Sequence, residues 1–232
     1  MSALADSGYY ALLSSLPALP ALDRAEQPPI SQLRLRARLS DLDETDRDDL
    51  ATVEGLLHWE RMALSAPDAP LIESARTAMP RLARRRLDDL VRERLELRTA
   101  MAALRRRAQG RPAPGRHEPW GFGRYTDLIR RHWDRPALGL EHVMPAVTQF
   151  QRLLAGGDSS ALEQALLRHV WGRLSRAGEG HYFDFRAVVI YVLRWNILDR
   201  WVSYDAAAAS ERFTLLCDDA TADIRLPWET SA

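Results

Sequence analysis

The chain has 232 residues with 32 basic and 32 acidic side chains, a formal net charge of zero with neutral histidines. That balance excludes nucleic-acid binding through bulk positive charge, and 46% hydrophobic with 28% charged residues is an ordinary globular composition, neither disordered nor disulfide-built. No position is lysine, so every cation is arginine, which removes the lysines of P-loop nucleotide hydrolysis, Schiff-base catalysis and kinases together.

At the amino end an apolar stretch, Tyr9 to Leu16, gives way to Pro17, Pro20, Pro28 and Pro29, which punctuate a loop. Asp6 and the prolines break any signal-peptide pattern, so the chain reads as cytoplasmic. Ser31 precedes the run QLRLRARL as a helix cap, and Asp41 or Asp43 can cap a second helix carrying Leu50, Val53, Leu57 and Leu64. A longer helix is predicted from about Pro80, a good first-turn residue, to about Ala108, where Gly110, Pro112, Pro114 and Gly115 stop it. Along it Ala83, Leu87, Leu90, Arg94, Leu97, Met101 and Leu104 alternate spacings of four and three, an a/d seam suited to antiparallel pairing with Arg94 its one polar break.

The same segment holds ten arginines against Asp88, Asp89, Glu93 and Glu96, a net +6, while Asp41 to Asp49 holds six acids and only Arg47, a net −5. Intramolecular pairing of the two stretches is the economical explanation. Two arginine triplets, Arg84, Arg85, Arg86 and Arg105, Arg106, Arg107, lie three heptads apart, so on one continuous helix they fall on similar faces near its ends. A solvated face is the default reading; a grip on an acidic partner, or contact with RNA or anionic lipid, is the functional one.

Residues 109–123, QGRPAPGRHEPWGFG, are dense in proline and glycine and read as a linker between a helical half over 1–108 and another over 124–232. The second half resumes with Tyr125, Leu128, Ile129 and Trp133, and restarts near Pro145 with Val147, Phe150 and Leu154. Asp158 or Ser159 then caps a helix bearing Leu162, Leu166, Val170 and Leu174. From a cap at Asp184, Phe185, Val188, Val189, Val192, Leu193, Trp195 and Ile197 cover more than half the circumference, which predicts a central buried helix. Asp205 is read as opening a last amphipathic helix with Phe213 and Leu216. No alternating strand pattern exceeds a few residues, so the predicted fold class is all-α, a multi-helix bundle. The apolar run Ala187 to Leu193 is far too short to span a bilayer.

Candidate chemistry is sparse. The six histidines, His58, His117, His132, His142, His169 and His181, make no metal-binding pair at helical spacing, and His132 and His169 read as packed or capped. The GxG pairs at Gly121 to Gly123 and Gly178 to Gly180 lack the strand and third glycine of a dinucleotide site and read as turns. Cys217 is the only cysteine, with no histidine near it in sequence. The acids at Asp41 to Asp49 and Asp218 to Asp223 look like solvated helix starts and tails. Of seven tryptophans, Trp195 and Trp201 cannot share one face of a straight helix, so one is expected in the core and the other on a neighbouring helix or a partner. A hydrolase site would need His132, His142, His169 or His181 beside a carboxylate in a deep pocket. No catalytic, cofactor-binding or metal-binding residue is assigned.

The opening YYALLSSLPALP, the stretches PALGLEHVMPAVTQF and LEQALLRHVWGRL, and the closing FDFRAVVIYVLRWNILDRW with YDAAAASERF together resemble the V-type ATP synthase C-subunit-like family, a bacterial family encoded beside V/A-type ATPase genes. The resemblance covers nearly the whole chain, through Tyr9, Tyr10, Leu16 and Pro17 at the opening and Phe183, Phe185, Tyr191, Leu193, Asp199, Arg200 and Trp201 near the end. It implies a helical, non-catalytic rotary-ATPase subunit without cofactor, partnered by other V/A-type ATPase subunits at the central shaft and membrane ring, and at most peripheral to the inner membrane. The chain is shorter than the family's namesake, which is built from three helical repeats, and no internal repeat is evident. The partner-interface candidates are Arg84, Arg85, Arg86, Arg105, Arg106, Arg107 and Trp201. The alternative is an RNA- or membrane-surface adaptor built on the arginine helix.

Overall fold

The computed structural model describes the backbone of residues 2–57, 68–116 and 118–222, and the side chains of 8–57, 69–116 and 118–204. His58, Leu64 and His117, and the side chains of Asp205, Phe213, Leu216, Cys217 and Asp218, lie outside the described residues. Among those described, every regular element is helical: α1 (Ser2–Ser15), a short 3₁₀ turn (Leu22–Arg24), α2 (Gln32–Leu39), α3 (Glu44–Leu57), α4 (Asp68–Arg84), α5 (Asp88–Ala108), α6 (Thr126–Arg131), α7 (Ala146–Ala155), α8 (Ser159–Ala177) and α9 (Phe185–Ala222).

Helix starts follow from local capping. The Ser31 hydroxyl accepts from the Arg34 N–H at 3.4 Å, Asp43 Oδ1 from Asp46 N–H at 2.7 Å, Asp158 Oδ1 from Ala161 N–H at 2.8 Å and Asp184 Oδ1 from Ala187 N–H at 2.8 Å. Each satisfies a donor that the first turn leaves without a partner.

The helix expected from Pro80 to Ala108 is two helices. Pro80 lies inside α4, and the chain turns sharply between Arg84 and Asp88. The Leu87 N–H bonds back to the Leu82 carbonyl at 3.0 Å and the Arg86 N–H to the Ala83 carbonyl at 3.1 Å, while Arg86 takes a left-handed φ of 55°. This is a Schellman closure, completed by the fully buried apolar pair Leu82 and Leu87. Glycine ordinarily holds the left-handed position, and α5 ends in the same closure with Gly110 (φ 69°) there. The triplets Arg84 to Arg86 and Arg105 to Arg107 therefore share no continuous helix. From Leu90 the seam stands, with Leu90, Arg94, Leu97, Met101 and Leu104 all buried.

Helix α5 is the hub. It packs against α3, α4, α6, α7 and α8, and Val91, Leu95, Ala100 and Ala103 bury its other faces. Helix α9 packs against α1, α3 and α8, and all seven apolar residues predicted for its first three turns and beyond are buried. It runs unbroken through Asp205 for 38 residues, so no separate helix starts there.

The segment 109–123 does not divide the chain into separate cores, because one hydrophobic cluster includes residues from Leu12 to Trp201. Its second half is strapped onto α5. Trp120 is buried, and Thr99 Oγ1 accepts from the Phe122 N–H at 2.9 Å while donating to the Leu95 carbonyl at 2.9 Å. Gly123 (φ 100°) lies so close to the hub that a Cβ there would meet Glu96 Cγ at 2.2 Å. A strap this close requires glycine.

The corner at Arg86 gives a test of opposite signs. In the observed turn, Arg86→Gly relieves a left-handed side chain and raises stability by up to about 1 kcal/mol in urea denaturation. A continuous helix through Arg86 would instead lose about 1 kcal/mol.

Candidate functional site

Arg85 joins α4 to α3 and α9. It pairs with both Asp46 and Asp49, the Asp49 contact at 3.3 Å, and its guanidinium lies 4.7 Å from the Phe185 ring centre. Arg81 Nε reaches Asp49 at 2.7 Å, and the Tyr9 hydroxyl donates to Asp46 at 2.5 Å. Asp46 and Asp49 are each only 1% exposed, so these acids of the 41–49 run are not solvated as the sequence suggested. They are the internal counterweight to the arginines. Burial pushes the Asp49 carboxyl up from its ordinary value, with the Arg81 charge opposing.

The other triplet is also largely engaged inside the chain. Arg106 donates to the Pro112 carbonyl at 3.0 Å and to Glu118 at 2.5 Å, which fastens the strap. Arg107 donates to the carbonyls of Trp133 at 3.2 Å, Arg135, and Pro136 at 2.5 Å. Arg105 is half-buried, and burial together with the Arg98 charge lowers its pKa from the ordinary arginine value. Arg84 and Arg86 are the exposed members of the six. Trp201 is 4% exposed beneath the Arg168 guanidinium, 4.7 Å from its ring, and Trp195 is buried with its indole N–H donating to the Ile30 carbonyl at 2.9 Å. Neither tryptophan is an open contact face.

Two aromatic groups meet where α1 crosses the start of α9. The Tyr10 and Phe183 rings are 4.7 Å apart and those of Tyr9 and Phe185 6.2 Å, and the Tyr191 hydroxyl donates to the Pro17 carbonyl at 2.8 Å. Tyr10, Tyr182 and Phe183 are about half or more exposed, which makes an apolar surface at this end.

Two clefts flank the contact of α5 with α8, and both are lined by Leu90, Arg94, Val170 and Leu174. One, of about 310 Å³, opens toward α3 and α9; its Glu54 is held by Arg36 at 2.7 and 2.8 Å and by Asn196 at 3.1 Å. The other, of about 450 Å³, opens toward the residues that precede α7. It gathers Arg124, Arg173, Arg176 and His169 with Glu93 and Glu96. Burial lowers the His169 pKa, its ring stands edge-on to Phe150 at 5.6 Å, and both glutamates are taken up by arginines. Sequence spacing could not bring these groups together, although Arg94 breaking an apolar seam was a visible signal.

Among the described residues no group of three or more His, Cys, Asp or Glu is placed to hold a metal ion, and no helix is long and apolar enough to cross a membrane. Comparison with protein-family models, curated proteins and solved structures gives no match.

Arg186 clamps the start of α9 to the start of α5, its two Nη atoms on Asp89 at 2.6 and 2.7 Å. Burial disfavours the Asp89 charge, but the Arg186 hydrogen bonds and charge, with the Leu90 N–H, outweigh it and hold the carboxyl below its ordinary value. Its contribution is therefore complete above the unfolded value of about 3.9 and is lost as pH falls through the lower folded value. The Asp89 side chain is 60% exposed, so Asp89→Asn should cost about 1 kcal/mol or less at pH 7. The gap from the parent protein should close in melting curves below pH 4.

Proposed function

We propose that the chain is a non-catalytic helical subunit of a bacterial V/A-type rotary ATPase, acting by shape and surface between the central shaft and the membrane ring or in their assembly. The observation that supports this reading best is the meeting of the opening and closing stretches, two of those in which the family resemblance was noted. Tyr9, Tyr10 and Pro17 from the opening touch Phe185, Phe183 and Tyr191 from the closing stretch, more than 160 residues away in sequence.

Mechanical work supports the same reading. An element that transmits force must not bend independently of its neighbours, and here the hub α5 and the part of α9 from Phe185 to Trp201 are buried in a single core. At 1.5 Å per residue α9 is about 57 Å long. The charged residues that an RNA- or lipid-binding adaptor would offer are mostly engaged: Arg85, Arg106 and Arg107 hold other segments of the chain. The exposed aromatic surface of Tyr10, Tyr182 and Phe183 offers a protein partner an apolar contact.

A tagged chain expressed in its own host should co-purify with rotary-ATPase subunits and have no ATPase activity alone. Tyr10→Ala with Phe183→Ala should lower that recovery at least about tenfold while helicity by circular dichroism is kept. Recovery of no rotary-ATPase subunit by the parent chain, or ATP hydrolysis by the isolated protein, overturns the reading.

A further inference from the structure

The cleft of about 310 Å³ has no role in the reading above. Much of its lining is apolar, through Leu57, Leu90, Leu174, Leu193 and Ile197. At about 100° per residue, α9 turns Asn196, Asp199 and Ser203 to one edge of the cleft and Leu193 and Ile197 to the other. Of the charged groups in the lining, all but one are already used within the chain. Glu54 accepts from Arg36 and Asn196, Arg200 reaches Glu163 at 2.7 and 2.8 Å, and Arg94 is engaged as well. The remaining group is Asp199. Among the described residues none donates a hydrogen bond to its carboxylate or pairs with it as a cation. The residue is open to solvent at the rim, yet burial alone pushes the carboxyl up from its ordinary value, with no neighbouring charge adding to the shift or opposing it. A carboxylate that loses water without gaining a counter-charge behaves in this way.

We infer that this cleft binds a small organic amine, its cationic head on the Asp199 carboxylate and its apolar body along Leu57, Leu90, Leu193 and Ile197. The volume lies at the lower end of the ordinary range for small-ligand sites, which combine apolar walls with a few polar groups that fix orientation. An ammonium head supplies the counter-charge that Asp199 lacks and donates a charge-assisted hydrogen bond to it, stronger than a neutral donor would give. The edge that holds Asp199 adds the neutral side chains of Asn196 and Ser203, which can share the remaining donors of the head. A carboxylate ligand would meet the Asp199 charge with no relief, because Arg200 is spent on Glu163 and contributes nothing to the Asp199 shift. An inorganic cation asks for several such ligands, and no group of three or more is found among the described residues. The apolar edge then selects for a body that leaves water on binding.

Isothermal titration of the full chain with octylamine tests the assignment at pH 7, where an alkyl amine is charged. Octanol supplies the body without charge, octanoate the opposite charge, and ethylamine the head with little body. Octylamine should bind at least about fivefold tighter than octanol or octanoate, the worth of one partly exposed ion pair, and at least about tenfold tighter than ethylamine. Asp199→Asn, at an exposed position, keeps the shape and removes the charge; it should weaken octylamine at least about threefold and leave octanol unchanged. Ser203→Trp, also at an exposed position, fills the cleft from its rim and should abolish octylamine binding while helicity by circular dichroism is kept. Octylamine binding no better than octanol, octanoate binding as tightly as octylamine, or undiminished octylamine binding by either variant overturns the inference. Because none of these outcomes involves recovery of rotary-ATPase subunits, this test and the preceding one fail separately.

Discussion

A helix enclosed by five others must satisfy every polar group it carries from within the protein, since burial without a partner costs more than most single contacts return. Helix α5 is so enclosed and yet carries Arg94, Glu96 and Thr99 among its buried residues. The strap from Trp120 to Arg124 answers two of these. It lays the Phe122 backbone on Thr99 and the Arg124 backbone and side chain on Glu96, and it can come that close because Gly123 has no side chain. The polar residues of the hub thus hold the carboxyl-terminal end of the proline- and glycine-rich segment against the core.

An all-arginine surface has a related consequence. Arginine's planar fork can hold a carboxylate or several carbonyls at once, and this chain uses it to fasten elements together. Arg85 ties α4 to α3 and α9, Arg186 ties α9 to α5, Arg106 holds the strap, and Arg107 holds the turns after α6. Each pair taken up internally removes charge from the surface offered to other molecules. Of the sequence triplets, which look like docking patches when read as strings of like charge, Arg85, Arg106 and Arg107 are fasteners in the fold, while Arg84 and Arg86 are exposed.

Where a helix begins was legible, because a cap is a local event: Ser31, Asp43, Asp158 and Asp184 each accept from a residue three positions on. The stop at Gly110 was legible for the same reason. The corner at Arg86 was not, since an arginine there gives no sign of a left-handed backbone and the cue was an apolar pair, Leu82 and Leu87, of which Leu87 also fits a continuous heptad seam. Asp205 resembled a cap, yet α9 continues through it. The pairing of acidic and basic segments could be anticipated from charge alone, but not that Asp46 and Asp49 would be the two acids taken inside. The large cleft was invisible because its cations come from α5, α8 and the strap, which only the tertiary fold assembles.

Arg94 is the residue at which packing and electrostatics disagree. Every neighbour in its seam, Leu90, Leu97, Met101 and Leu104, is apolar and buried, and a leucine or methionine there would complete the stripe without the desolvation of a cation. Consistency across sequence pattern, packing and charge is what makes a chain fold to one structure, and breaks in it concentrate where something other than folding is being served. Here the break falls at the shared wall of both clefts, on a helix packed against five others. A rigid hub of this kind fixes the guanidinium in place.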